Sequence, residues 1–317
     1  MRTLYPDIKP FAKHRLQVTD LHELYVEESG SPTGLPVIFL HGGPGAGCDK
    51  VHRSFFDPDK YRIIIFDQRG AGRSRPHAEL EENNTQELIA DMEAIRVALE
   101  VDRWVLFGGS WGSTLALLYA EAFPERVLAM ILRGIFLARE QDYEWLYEKG
   151  ASLVYPDYWQ EFFEHIPEDE RDDIVKAYHK RLFGADEVAR LSAAKAWAMW
   201  EARAATLDPN PKMVEHMADA HIALSLARIS AQYFVNRCFI EDNQIINNID
   251  KIQDIPGIIV HGRYDMVCTL DNAHTLQKLW PSSELHIVRD AGHSAGEPGI
   301  VDALIKATDS MVSRLTA

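Results

Sequence analysis

Ser110, Asp265 and His293 are of the types, and in the chain order, that a hydroxyl nucleophile and its proton relay require. Ser110 stands in Gly108-Gly109-Ser110-Trp111-Gly112-Ser113, where Gly108-x-Ser110-x-Gly112 fits a strand–turn–helix elbow. Such an elbow presents a serine Oγ at a sharp corner, and glycines relieve the crowding around it. A serine hydroxyl is a poor nucleophile until a neighbouring base takes its proton. A histidine suits that task, and a carboxylate fixes its tautomer and stabilises the imidazolium that forms. Asp265 closes His261-Gly262-Arg263-Tyr264-Asp265, and His293 lies in Asp290-Ala291-Gly292-His293-Ser294.

The elements that must position them are legible as texture. Val105-Leu106-Phe107 reads as a strand running into Ser110, and Thr114-Leu115-Ala116-Leu117-Leu118-Tyr119 as the helix after it. Ile258-Ile259-Val260 and Glu284-Leu285-His286-Ile287-Val288 are strands that open into the loops of Asp265 and His293. Val37-Ile38-Phe39-Leu40, Arg62-Ile63-Ile64-Ile65-Phe66 and Val127-Leu128-Ala129-Met130-Ile131-Leu132-Arg133 complete a set of buried-type strands. The segment 85–99 is an amphipathic helix. Strands alternating with helices imply an α/β fold with a mostly parallel sheet, whose ligands bind beyond the carboxyl ends of the strands. From 136 to 240 the strand texture disappears, and helices are expected over 158–165, 168–183, 186–207 and 211–236. The expected organisation is a catalytic domain over 1–135 and 241–317 and a helical cap over 136–240.

Other residues compete for these roles. His41 and His261 sit at strand ends and read as loop braces; His274 falls in a helix and His286 within a strand. Asp271 reads as a helix start, and Asp67 and Arg69 as loop braces. His41-Gly42-Gly43-Pro44-Gly45 follows a strand and leaves backbone N–H groups free, so Gly43 and Trp111 are the expected oxyanion donors. In the cap, Glu201 shares a helical face with Ala194, Trp197 and Ala198, which places a carboxylate on an apolar stripe. Such a carboxylate needs a cation or several donors; a substrate ammonium would serve, and so would a structural arginine such as Arg228.

The chain of 317 residues is 46% hydrophobic, enough for one large core with a sub-domain. Its formal net charge of −15, without a basic cluster, argues against nucleic acid and anionic membranes as partners. Three cysteines without metal-ligand spacing, no apolar leader at Met1 and no membrane-length apolar run point to a reduced, cytoplasmic protein. No metal or other cofactor is expected.

With these motifs in hand, and with Asp67-Gln68-Arg69-Gly70 and Leu132-Arg133-Gly134-Ile135-Phe136 beside them, the chain resembles the proline iminopeptidases from Tyr5 to about Thr308. These are α/β-hydrolase-fold serine peptidases that release N-terminal proline from peptides. The resemblance implies Ser110 as nucleophile, Asp265 as orienting acid and His293 as base. It also implies a proline-ring pocket of Phe136, Phe234 and Cys268, and Glu201 as anchor of the substrate amine. One position departs: where family members carry a second glutamate, Ala227-Arg228-Ile229-Ser230-Ala231-Gln232-Tyr233-Phe234 has Ser230, a hydroxyl without charge. An aminopeptidase of altered preference, or an amidase or esterase on the same fold, is the alternative this leaves open. A hydrolase-fold binding protein without turnover is the other, and the complete Ser/Asp/His set argues against it.

Overall fold

Every side chain of Val37-Ile38-Phe39-Leu40 is apolar, and the fold buries both faces of the strand that contains them. The computed structural model describes residues 1–316. Among them eight strands form one sheet: β1 (Ala12–Gln17), β2 (Glu23–Gly30), β3 (Leu35–Leu40), β4 (Tyr61–Asp67), β5 (Trp104–Ser110), β6 (Val127–Ile135), β7 (Gly257–Gly262) and β8 (Ser283–Val288). Their spatial order is β1-β2-β4-β3-β5-β6-β7-β8. β1, β2 and β4 pair antiparallel, and all pairs from β4 to β8 are parallel. The expected α/β architecture is thus present.

Alternate residues face two separate core layers. Ile38, Leu40, Ile64, Leu106 and Leu132 pack with α1 (Thr85–Ala98) and α2 (Trp111–Ala122). Val37, Phe39, Ile63, Ile65, Phe107 and Ile131 face the opposite way, onto a layer that includes the C-terminal helix. At roughly 1.5–3 kcal/mol for each large apolar side chain removed from water, these two layers dominate the stability of the sheet.

Between β6 and β7 there is no strand among the described residues. The chain forms α3 (Glu140–Tyr147), α4 (Ala151–Val154), α5 (Pro156–Glu164), α6 (Ile174–Phe183), α7 (Glu187–Ala204), α8 (Pro211–Met217), α9 (Ala220–Val235) and α10 (Gln244–Asn247). After β7 come α11 (Leu270–Leu279) and, after β8, α12 (Pro298–Thr316). Two expected helices are shorter than their periodicity suggests, each for a capping reason. Asp173 accepts from Lys176 N and starts α6 there, leaving the acidic run before it as a 3₁₀ turn. Asp219 accepts from the backbone N–H groups of His221 and Ile222, which divides 211–236 into α8 and α9.

Candidate active site

β5 passes into α2 at Ser110 without an intervening loop, and the corner holds the serine at φ 57° and ψ −128°. A side chain at positive φ is strained, and such strain persists only where the surroundings enforce it. Here backbone meets backbone: a Cβ on Gly108 would collide with the Gly112 carbonyl, and one on Gly112 with the Leu40 carbonyl. Ser113 Oγ donates to the Ser110 carbonyl at 2.7 Å and accepts from Phe136 N at 3.2 Å. Thr114 Oγ1 donates to the Phe136 carbonyl at 2.7 Å, so the elbow is keyed to the end of β6.

The loop after β8 carries His293, whose Nδ1 lies 2.7 Å from Asp265 Oδ2 on the loop after β7. The other oxygen, Oδ1, accepts from the backbone N–H groups of Val267 at 3.0 Å and Cys268 at 2.8 Å. Burial pushes the Asp265 carboxyl up, but His293, His261 and the Cys268 N–H outweigh it and hold it below its usual range. An ionised Asp265 places the His293 proton on Nδ1 and leaves Nε2 with its lone pair free to accept a proton. His261 is a second support: its Nδ1 faces Ile135 N at 3.2 Å, and its Nε2 faces the Cys268 carbonyl at 2.9 Å. The N–H donor at Nδ1 sets its tautomer, with the proton on Nε2, which also stands 3.4 Å from Asp265 Oδ2. The loop of His293 is fixed from the helical segment, because His293 N and Ser294 N both donate to the Ala205 carbonyl beyond the end of α7.

Trp111 is the first residue of α2, so its N–H has no partner within the helix and carries the positive end of the helix dipole. Gly43 stands at φ 109°, a conformation that favours glycine, in the loop after β3. Gln68 ties these two loops together. Its N–H donates to His41 Nε2 at 3.0 Å, its Nε2 to the His41 carbonyl at 3.0 Å, and its Oε1 accepts from Trp111 Nε1 at 2.9 Å. His41, Asp67 and Arg69 are braces: Asp67 accepts from Cys48 N and from Arg73, and Arg69 grips Asp91 with two bonds of 2.7 Å.

Ser110 and His293 line a cavity of about 290 Å³ together with Gly43, Phe136, Glu201, Phe234 and Cys268. The wall near Glu201 is aromatic. Phe234 packs edge-on against Phe136, and Tyr147 stacks on Trp197 with centroids 4.8 Å apart. Glu201 Oε1 accepts from Tyr147 OH at 2.5 Å and from Trp197 Nε1 at 2.6 Å. Among the described residues no cation lies within 4 Å of it, and Arg228 is instead set over the Phe183 ring. Enclosure raises the Glu201 carboxyl to about 7 against the two hydrogen bonds, which lower it. Ser230, expected at the substrate, is fully buried, donates to the Pro44 carbonyl at 2.9 Å and is not among the residues that line the cavity.

Tyr147, Gln68 and Arg133 also belong to the site, outside the positions its motifs single out. Nothing local marks Tyr147 or Gln68, since their partners lie far away in the chain. Arg133 did carry a signal, a lone charge in an otherwise apolar strand, and its guanidinium lines the cavity while donating to the His293 carbonyl at 2.7 Å.

Comparison with known proteins accords with this geometry. The family described as alpha/beta hydrolase fold matches residues 36–299. A proline iminopeptidase of Xylella fastidiosa (strain 9a5c) is 52% identical over 98% of this chain and 100% of its own length. One from Arabidopsis thaliana is 51% identical over 98% of this chain and 82% of its own. Among solved structures, an esterase from Exiguobacterium antarcticum superposes with a TM-score of 0.63 at 21% identity, covering 93% of this chain and 96% of its own. A thermophilic esterase from Thermogutta terrifontis gives a TM-score of 0.65 at 16% identity, covering 98% and 100%. At those identities the two esterases share the fold.

Proposed function

Because this chain belongs to the proline iminopeptidases of the α/β-hydrolase fold, we propose that it releases N-terminal proline from short peptides through a serine acyl-enzyme. In this reading His293 Nε2 takes the Ser110 proton as Oγ attacks the prolyl carbonyl. The N–H groups of Trp111 and Gly43 receive the oxyanion, a contribution of about 3–4 kcal/mol for each such donor. The tetrahedral intermediate collapses, His293 returns the proton to the departing amine, and prolyl-Ser110 remains. Water, deprotonated by the same histidine, then frees proline. Asp265 holds the imidazole in the tautomer each step needs. Residues 136–240 act as a cap that supplies the walls around the ring, with Phe136, Phe234 and Cys268 against its methylenes.

Glu201 carries the reading. A carboxylate enclosed among indole and phenol rings, with two neutral donors and no cation within 4 Å, is half of an ion pair. The ammonium of an N-terminal proline completes it, which an N-acylated substrate cannot do. Among the described residues no helix is long and apolar enough to cross a membrane. The deciding measurement compares prolyl and N-acetylprolyl aryl amides. Hydrolysis of the free-amine substrate alone is expected; equal hydrolysis of both would favour an amidase or esterase.

A further inference from the structure

The cavity has two chemically distinct ends. Phe136, Tyr143, Leu146, Tyr147 and Phe234 come from the core layer beneath the helical segment, and Glu201 stands among them. Phe39, Phe107 and Leu304 come from the layer on the other face of the sheet. Arg133 belongs to that second end. On β6 it follows Ala129 and Ile131 in period two, and both of those face the second layer. Arg133 pairs in register with Gly109, the residue before Ser110, and a Cβ on Gly109 would meet its guanidinium.

This guanidinium is a charge without a counter-charge. Among the described residues no carboxylate comes within 4 Å of it, and its one hydrogen-bond acceptor is the His293 carbonyl at 2.7 Å. The carboxylates that act on it are Asp265 and Glu297. Asp265 is committed to His293 and two backbone N–H groups, and Glu297 to Gly292 N at 3.0 and 3.1 Å. Enclosure makes its charge costly, yet a guanidinium does not give up its proton. Facing it across the same end is His52, stacked on Phe39 and held by burial at about 4, so it brings no charge of its own at neutral pH.

We propose that the cavity binds proline dipeptides as zwitterions, with the amine at Glu201 and the free carboxylate of the departing residue at Arg133. The inference rests on the iminopeptidase reading and adds the leaving-group side to it. An extended dipeptide spans about 7 Å from amine to carboxylate with the scissile carbonyl between the two charges, and Arg133 is in register with Gly109, next to Ser110. The planar fork of arginine matches a carboxylate with two parallel hydrogen bonds, which a neutral carboxamide cannot reproduce.

The test uses prolyl-alanine, prolyl-alaninamide and a prolyl aryl amide with the wild-type enzyme, Arg133→Lys and Arg133→Met. Wild type is expected to favour the free acid over the amide by about tenfold or more in kcat/KM. Arg133→Met should bring that ratio close to one, and Arg133→Lys should keep part of it. The ratio is read within each enzyme, so a general loss of turnover through the His293 loop does not move it. A wild-type ratio near one, or an unchanged ratio in Arg133→Met, overturns the proposal. Should Arg133→Met fail to fold, competition on the wild type decides. Alanine is expected to inhibit aryl amide hydrolysis more strongly than alaninamide, and equal inhibition overturns the proposal. Failure to hydrolyse the prolyl aryl amide would remove the iminopeptidase reading itself, whereas its hydrolysis alongside a ratio of one removes only the role of Arg133.

Discussion

The Ser230 hydroxyl donates to the carbonyl oxygen of Pro44 at 2.9 Å, and both residues are buried. With the bond of Ser225 Oγ to the Gly45 carbonyl at 3.0 Å, it joins α9 to the loop that carries Gly43. Ser230→Ala removes the donor and leaves a buried carbonyl unpaired, which costs about 1–3 kcal/mol. Chemical denaturation should show that loss as a lower midpoint, with kcat reduced more than KM because the oxyanion loop is loosened. Unaltered stability and kcat would mean that the loop holds without the bond.

Strain at Ser110 makes a separable prediction. Ser110→Ala removes the proposed nucleophile and should lower hydrolysis by several orders of magnitude while keeping the fold. Ser110→Gly should be equally inactive yet more stable than Ser110→Ala by about 1 kcal/mol, since φ 57° is open to glycine. Thermal melts of the two variants check it. Near-wild-type turnover by either would take the nucleophile role from Ser110.

The acid side of the pH profile should belong in part to Glu201. Its carboxyl ordinarily titrates near 4.5 and here near 7, so it is half-protonated at neutral pH and cannot pair with an ammonium below that. The ratio of kcat/KM for a prolyl aryl amide to that for an N-acylprolyl ester cancels the histidine common to both. That ratio should fall as pH drops from about 7 toward about 5. Glu201→Gln should flatten it and lose about 2–4 kcal/mol on the free-amine substrate alone. Stability runs the opposite way with pH. The folded state binds the proton more tightly, so the stabilisation is complete below about 4.5 and is lost as pH rises through about 7.

Thiol chemistry should be slow. Burial pushes the thiols of Cys48 and Cys268 well up, and that of Cys238 to about 12, so little thiolate exists at neutral pH. Mass spectrometry after brief maleimide treatment at pH 7 should find the native protein largely unlabelled and the denatured chain labelled three times. Where Cys268 does react, hydrolysis should stop, because that side chain is part of the cavity wall. Free proline should slow the reaction. Full activity after Cys268 is modified would place it away from the substrate.

How much of this was legible in the sequence depended on range. Ser110, Asp265, Gly43 and His293 each stand at or just beyond the carboxyl end of a strand, and strand periodicity together with glycine is a local signal. The apolar face of α7 likewise announced an inward Glu201, because Trp197 stands one turn away. What completes the site is not local. Tyr147 reaches Glu201 across 54 positions, and Arg133 reaches the His293 carbonyl across 160, through pairings that only the packed sheet creates. Ser230 shows the reverse. Its place in a helical segment was readable, but its commitment to Pro44, 186 residues away, was not.

The backbone contact at the elbow also governs what substitutions the chain can survive. At Gly108 and Gly112 the obstacle to any side chain is main chain belonging to two other elements, which no rotamer can relieve. By contrast, a Cβ at Gly184 or Gly296 would meet nothing closer than 3.4 and 3.6 Å. Saturation mutagenesis should therefore find a library in which even alanine is absent at the first pair and many residues are accepted at the second. Since the obstruction at Gly108 is Gly112 itself, no change at one can be rescued by a change at the other. The two positions are frozen together, and variation in this protein must come from the walls of the cavity while its corner stays fixed.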